Sequence, residues 1–461
     1  MVVFFSGVVV AGIGMALNPD GFDKFFSVAE QIPPSTSSLS YYWDVNAYAE
    51  LVLNPQCSAF YPLWPALIRA MAHPQNIHEA AYMMGWVSRL LWIISLPLTI
   101  LVFRQGLNHH RVAFICVLLY SLSPFSIFRV IGYTESLFAI LSLGLIYVCG
   151  LVSDRNPTVL GNTILVKTMF GGAIGILGCL ISLTRPTLVQ IIGASVATLI
   201  TLWLVSYGKN LQSLASDSSR PRAIAYIKTT SMDFVHQHRS SLFISFCLIG
   251  GAIIGYSIYG YFCLHHSGDF FGPFNQQKAW NKSFGFRPWL LFTSKSPLQD
   301  LLGLYFPGLL WLIAIGNLLE GAQVYTMPRL DWGKISCLLQ AYPPLWVLYQ
   351  SWHHYRDRQN QLAITKHDSP DGGGQPRSFR FMESYIFWFS LYFSFAHSAI
   401  VLLTQDRLVS LGRYIFGQPF IFLALGYLFI DLRHYLKPQQ RTFLCLHIDG
   451  MFYGFINRTM G

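Results

Sequence analysis

Apolar runs of membrane-crossing length recur along the whole chain, and the connectors between them carry nearly all of its lysine and arginine. A helix needs about 20 predominantly apolar residues to cross a bilayer. Stretches at about 1–17, 80–103, 111–128, 134–152, 164–184, 186–207, 241–264, 301–321, 383–404 and 411–432 qualify. Hydrophobic residues make up 53% of the 461 positions and charged residues 11%, where an ordinary soluble domain carries about a quarter charged. That balance excludes a soluble enzyme, a disordered chain and a secreted disulfide scaffold. It predicts an all-α polytopic membrane protein of about ten transmembrane helices, with residues 1–461 as one integral membrane domain. The first run lacks a basic leader and a small-residue cleavage site, so it reads as a short helix and not a signal peptide.

The charges orient the chain. With the first residue in the cytoplasm, the segments 104–111, 153–167, 208–240, 322–382 and 433–461 are cytoplasmic and hold 20 Lys and Arg, against 10 on the opposite side. The positive-inside rule favours this arrangement, and it accounts for the formal charge of +10 without a nucleic acid partner. The apolar segment 335–350 contains Pro343-Pro344 and reads as interfacial or re-entrant within a cytoplasmic insert, 322–382. The tail 433–461 is short and basic. Two long outer loops, 18–79 and 265–300, are rich in aromatics and predict short amphipathic helices on the membrane surface.

Several patterns point away from other chemistry. The eight cysteines show no C-x-x-C spacing and mostly fall in apolar runs, so neither a disulfide nor a zinc framework is expected. The pairs His109-His110, His265-His266 and His353-His354 lack the helical i, i+4 spacing of a metal site. No metal and no cofactor is expected. Glycines at 171, 172, 175 and 178 and at 250, 251 and 255 contain the spacing of close helix packing. No P-loop, Rossmann glycine pattern or nucleophile elbow is present.

An ionisable group at membrane level is costly and therefore a functional candidate. On the outer side the acids of this kind are Asp44, behind Tyr42-Trp43, and Glu135, at the head of the fourth run. The cations there include Arg129, Arg185, Lys278, Arg287 and Arg413. Cations beside a carboxylate suit a phosphate next to a base. Taken singly, each could equally pair with an acid or a lipid headgroup. Arg89, inside a run, must face protein or a wet cavity, with Glu79 or Glu135 as partners. Trp43, Tyr61, Trp64 and Trp280 could stack on a sugar ring or belong to the interfacial aromatic belt.

These residues lie in strings that resemble the GPI mannosyltransferase 2 (PIG-V) family. YYWDVNAYAELVL followed by SAFYPLWPALIRA resembles its first outer loop. SLSPFSIFRVIGYTESLFAILSL, SLTRPTL, FNQQKAWNKSFGFRPW and SLGRYIFGQPFIFLALGY resemble its later segments, in the same order. Ala47 and Glu50 depart from the family pattern after the aspartate, and SLTRPTL lacks its glycine. The resemblance implies a GT-C-like bundle with a structured first outer loop and an active site on the outer or luminal face. It implies transfer of a hexose, mannose in the family, from a polyprenyl(dolichyl)-phosphate sugar to a lipid or glycan acceptor. The host would be a bacterial plasma membrane, or the endoplasmic reticulum membrane in a eukaryote. An α product from a β-linked donor requires inversion, and inversion requires one base. Asp44 is that candidate. Arg185, Arg413 and Arg129, with Lys278 and Arg287, would face the leaving phosphate. Glu135 would position the sugar or hold an arginine. The competing readings are a transporter or lipid flippase without glycosyl transfer, and a scaffold subunit of a membrane complex.

Overall fold

In a bilayer core there is no water to bond to, so a chain satisfies its backbone there by forming helices or closed barrels. The computed structural model describes residues 44–153, 164–215, 233–280, 284–285, 287, 297–321, 380–404 and 411–432, and among these every regular element is helical. Two ten-residue helices come first, α1 (Asp44–Leu53) and α2 (Leu63–Ala72). Then come α3 (Ile77–Leu107), α4 (His110–Leu122), a 3-10 turn (Pro124–Arg129), α5 (Glu135–Ser153), α6 (Ile164–Thr184) and α7 (Leu188–Ala215). They are followed by α8 (Arg239–Ser267), the single turn α9 (Gly272–Asn275), α10 (Pro297–Gly321), α11 (Tyr385–Thr404), α12 (Leu411–Phe416) and α13 (Pro419–Leu432). The fold is all-α, as the hydropathy pattern predicts.

Among the described residues, five helices are long and apolar enough to cross a membrane: α3, α5, Leu188–Tyr207 within α7, α8 and α11. The apolar cores of α4, α6, α10 and α13 are shorter. Two expected spans are broken, for visible reasons. The run 111–128 stops at Leu122 and tightens into the 3-10 turn at Pro124, because proline offers no N–H to continue the helix. The run 411–432 splits into α12 and α13 at Gly417-Gln418, and Pro419 takes the first position of α13, where its missing N–H costs nothing. The run 1–17, the segment 335–350, most of the insert 322–382 and the tail 433–461 lie outside the described residues.

The 31 residues of α3 extend about 46 Å at about 1.5 Å per residue, longer than the hydrocarbon layer of about 30 Å. Its start is a reciprocal cap: Asn76 accepts the Glu79 N–H at 2.9 Å, and Glu79 accepts the Gln75 N–H at 2.8 Å. Tyr82, Trp86, Leu90 and Ile94 form an exposed apolar stripe, while Ala80, Ala81, Met84 and Val87 are buried. A stripe of that kind facing outward is what a lipid-facing helix presents. His109 caps α4 by accepting the Val112 N–H at 3.3 Å through Nδ1. His265 bonds the Tyr261 hydroxyl and His266 the Phe262 carbonyl, each at 3.0 Å. His109, His265 and His266 are therefore engaged within their own helices or caps.

The glycine spacing does serve packing. A Cβ at Gly251 would run into the Gly175 carbonyl, one at Gly255 into the Cys179 carbonyl, and one at Gly178 would lie 2.8 Å from the Leu248 carbonyl. Helices α6 and α8 thus touch backbone to backbone, which only glycine permits.

Cys57 and Cys263 form a disulfide, with Cα atoms 4.9 Å apart and 206 residues between them in sequence. This overturns the expectation of no disulfide framework. Spacing along the chain cannot reveal a pair that tertiary folding brings together. The bond ties the C-terminal end of α8 to the loop between α1 and α2. The Tyr259 hydroxyl reinforces the join, bonding the Ser58 carbonyl at 2.8 Å and the Phe60 carbonyl at 3.0 Å. Gln277 donates to the Ala59 carbonyl at 2.9 Å. The segment 57–60 is therefore stitched to the described residues 259–277.

Candidate active site

The four residues 132–135 organise the site, because each engages a different part of the chain. Gly132 has φ +88°, a left-handed conformation that glycine adopts without strain. Its carbonyl accepts the indole N–H of the fully buried Trp64 at 3.0 Å, fixing α2. Tyr133 accepts the Ser88 hydroxyl of α3 on its carbonyl at 3.3 Å and the Asp44 backbone N–H on its phenol oxygen at 3.4 Å. The Thr134 hydroxyl accepts from Arg185 Nε at 3.1 Å. Glu135 then opens α5.

Glu135 is 1% exposed and two arginines share its Oε1. Arg413 Nε donates to that oxygen at 2.5 Å. Arg185 Nη2 lies 2.5 Å from it, an ion pair whose N–H does not point along the hydrogen-bond line. Arg413 also reaches Asp44, with Nη1 at 3.1 Å from Oδ2. The result is a chain Asp44–Arg413–Glu135–Arg185 of two carboxylates and two guanidiniums. Its formal charge is zero, which is how ions persist in a low-dielectric interior. Aromatic faces complete the enclosure. The Arg413 guanidinium carbon lies 4.5 Å from the Tyr133 ring and 5.1 Å from Phe128, and that of Arg185 lies 5.1 Å from Phe138, within cation–π range.

Asp44 is the member that meets solvent. Its side chain is 27% exposed, against 8% for Arg413, 7% for Arg185 and 1% for Glu135. Among the described residues Oδ2 is held by Arg413, and Oδ1 accepts no hydrogen bond. Burial, and then the Asp44 charge, push the Tyr48 and Tyr133 hydroxyls well up, so both phenols stay neutral beside it. On α2, Arg69 donates to the last carbonyls of α1, to Val52 at 2.6 Å through Nε and to Leu51 at 3.2 Å. It satisfies the orphan C-terminal groups and anchors the helix that carries Asp44.

Other sequence candidates go elsewhere. Arg129 is not part of the network: its Nη2 donates to the Tyr120 carbonyl at 2.8 Å and its guanidinium lies 4.1 Å from the Tyr120 ring. Trp64 and Tyr61 are not sugar platforms or belt residues. Trp64 is spent on Gly132, and Tyr61, 2% exposed, packs 5.1 Å from Tyr259 beside the disulfide. Glu135 faces arginines and is closed to a sugar. Arg89 meets neither proposed acid and lies over the Trp86 ring at 5.6 Å. Lys278 is exposed on the 3-10 turn beside Gln277, and Arg287 is half-buried. Trp43 and the Trp280 side chain lie outside the described residues. Among the described residues no group of three or more His, Cys, Asp or Glu could hold a metal.

Tyr133, Thr134 and Arg69 are the participants that sequence reasoning missed. The first two stand inside the GYTE string, where only the acid drew notice.

No family model and no curated protein matches the chain. Among solved structures, the oligosaccharyltransferase of Archaeoglobus fulgidus, in its apo form, is similar at 13% identity with a TM-score of 0.41. The likeness covers 99% of this chain and 56% of that one, so the chain spans about half the length of that protein.

Proposed function

We propose that the protein is a GT-C-type membrane glycosyltransferase that moves a hexose from a polyprenyl-phosphate sugar to a lipid or glycan acceptor, with inversion, on the exoplasmic face. The observation that carries this reading is Asp44: a partly exposed carboxylate at the end of a buried ion network, held among the described residues by Oδ2 alone. The ordered motif resemblance to the PIG-V family supports it and makes mannose the first sugar to test. The Cys57–Cys263 disulfide supports the exoplasmic placement. It lies in the stitched segment that follows α1, the helix of Asp44, and disulfides persist in oxidising compartments.

The reaction balances on these residues. The acceptor hydroxyl oxygen attacks the anomeric carbon, and its proton passes to Asp44 Oδ1. The bond from that carbon to the phosphate oxygen breaks, and the polyprenyl phosphate leaves with the electron pair. Inversion follows from attack opposite the leaving group, so no covalent enzyme intermediate and no second carboxylate is needed. Lys278, exposed on the 3-10 turn, is the first candidate to face the leaving phosphate, and Arg287 is the second. Arg185 and Arg413 are already neutralised.

The test is a panel of polyprenyl-phosphate sugars with radiolabelled mannose, glucose or galactose, added to membranes containing the full chain. Transfer of one label into lipid or polymer, with an α linkage by glycosidase digestion, is the expected result. Movement of labelled lipid across liposomes with no glycoside formed would overturn the reading in favour of a flippase.

A further inference from the structure

Arg413 binds two carboxylates and lies among aromatic rings. Nε is on Glu135 at 2.5 Å and Nη1 on Asp44 at 3.1 Å. The Tyr133, Phe128 and Tyr414 rings lie 4.5, 5.1 and 5.2 Å from its guanidinium carbon. Its backbone is fixed as well. The Arg413 carbonyl accepts the Gly417 N–H at 3.0 Å, and a Cβ at residue 417 would sit 2.5 Å from that carbonyl. The short helix α12 is thereby closed against the residue it presents. Guanidinium donors form a rigid planar fork, so turning this one toward a ligand would break both ion pairs.

Both ion pairs of Arg413 go to carboxylates of the site, and one of the two is the partly exposed Asp44. We infer that Arg413 is a positioning residue: it clamps Asp44 by Oδ2 so that Oδ1 alone faces the reacting hydroxyl, and it braces that clamp against Glu135 and Arg185. The inference rests on Asp44 as the base. It assigns α12, 369 residues away in sequence, to aiming that base. A loose base matters, because a misplacement of about 1 Å can cost about 100-fold in rate.

The test compares wild type, Arg413→Gln and the paired variant Glu135→Gln/Arg413→Gln, as full chains in nanodiscs. The paired variant removes one charge of each sign and keeps the network neutral, so it is read in the same way if the single variant does not fold. A water-soluble carbodiimide with a labelled amine tags accessible carboxylates, and mass spectrometry gives the Asp44 yield relative to Glu50, which is exposed on the same helix. Freed from its clamp, Asp44 should label about fivefold or more above wild type, since a charge-assisted pair withholds the carboxylate. In transfer assays kcat should fall about 100-fold with the donor KM within about threefold. Unchanged Asp44 labelling, or a donor KM raised about tenfold with kcat retained, would make Arg413 a phosphate ligand and overturn the inference. If no protein transfers sugar, the labelling still decides: a rise upholds the clamp, and only the catalytic reading of Asp44 then fails.

Discussion

Replacing Glu135 by glutamine removes one charge and almost no volume, from a side chain that is 1% exposed. Two guanidiniums then share a neutral amide, with Asp44 as the remaining anion, held by Arg413 alone. The network changes from neutral to one net positive charge in an interior that solvates it poorly. Removing one partner of a buried ion pair costs about 3–5 kcal/mol. At about 1.4 kcal/mol per decade, that lowers the folded-to-unfolded ratio by about two to nearly four powers of ten. The loss is measured by thermal unfolding of purified protein in detergent, followed by tryptophan fluorescence. A double-mutant cycle with Arg413→Gln isolates the pair, and the coupling should exceed about 1 kcal/mol for residues in one ionic network. A Glu135→Gln protein as stable as wild type, or additive effects in the cycle, would refute the account of a closed four-residue network.

Asp44→Asn should behave in the opposite way, losing less than about 1 kcal/mol of stability, because this residue is partly exposed and Arg413 keeps Glu135; a large drop in melting temperature would contradict that. Cys57→Ser should cost about 2–5 kcal/mol by releasing a constraint across 206 residues. In wild type, a membrane-impermeant maleimide should tag Cys57 and Cys263 from the outer face only after reduction. Gly255→Leu should separate α6 from α8, seen as loss of a crosslink between cysteines placed on the two helices, since a Cβ there already meets the Cys179 carbonyl. Trp64→Phe should cost about 1–3 kcal/mol, leaving the buried Gly132 carbonyl without its donor.

Much of this architecture is visible in the sequence, and the reason is the cost of charge in lipid. Asp44, Glu135, Arg185 and Arg413 stand out because ionisable residues at the ends of apolar runs are few. Which of them meet is not legible. Glu135 and Arg413 are 278 residues apart, and only the packed bundle brings them together. Arg129 shows the limit: same residue type, same face, yet its side chain turns to Tyr120. Trp64 and Tyr61 show another. An aromatic in an outer loop reads as a belt or a sugar platform until the loop folds over it. The break at Gly417-Gln418-Pro419 was open to reading, since glycine followed by proline is a breaker signal, but high hydropathy on both sides masks it.

The central claim concerns one oxygen atom, Asp44 Oδ1. Its direct test follows label from polyprenyl-phosphate [³H]mannose into lipid or polymer, in membranes carrying wild type or Asp44→Asn at equal levels of disulfide-bonded protein. The account predicts transfer by wild type and a loss of about 100-fold or more in the variant. Equal transfer by both proteins would contradict it.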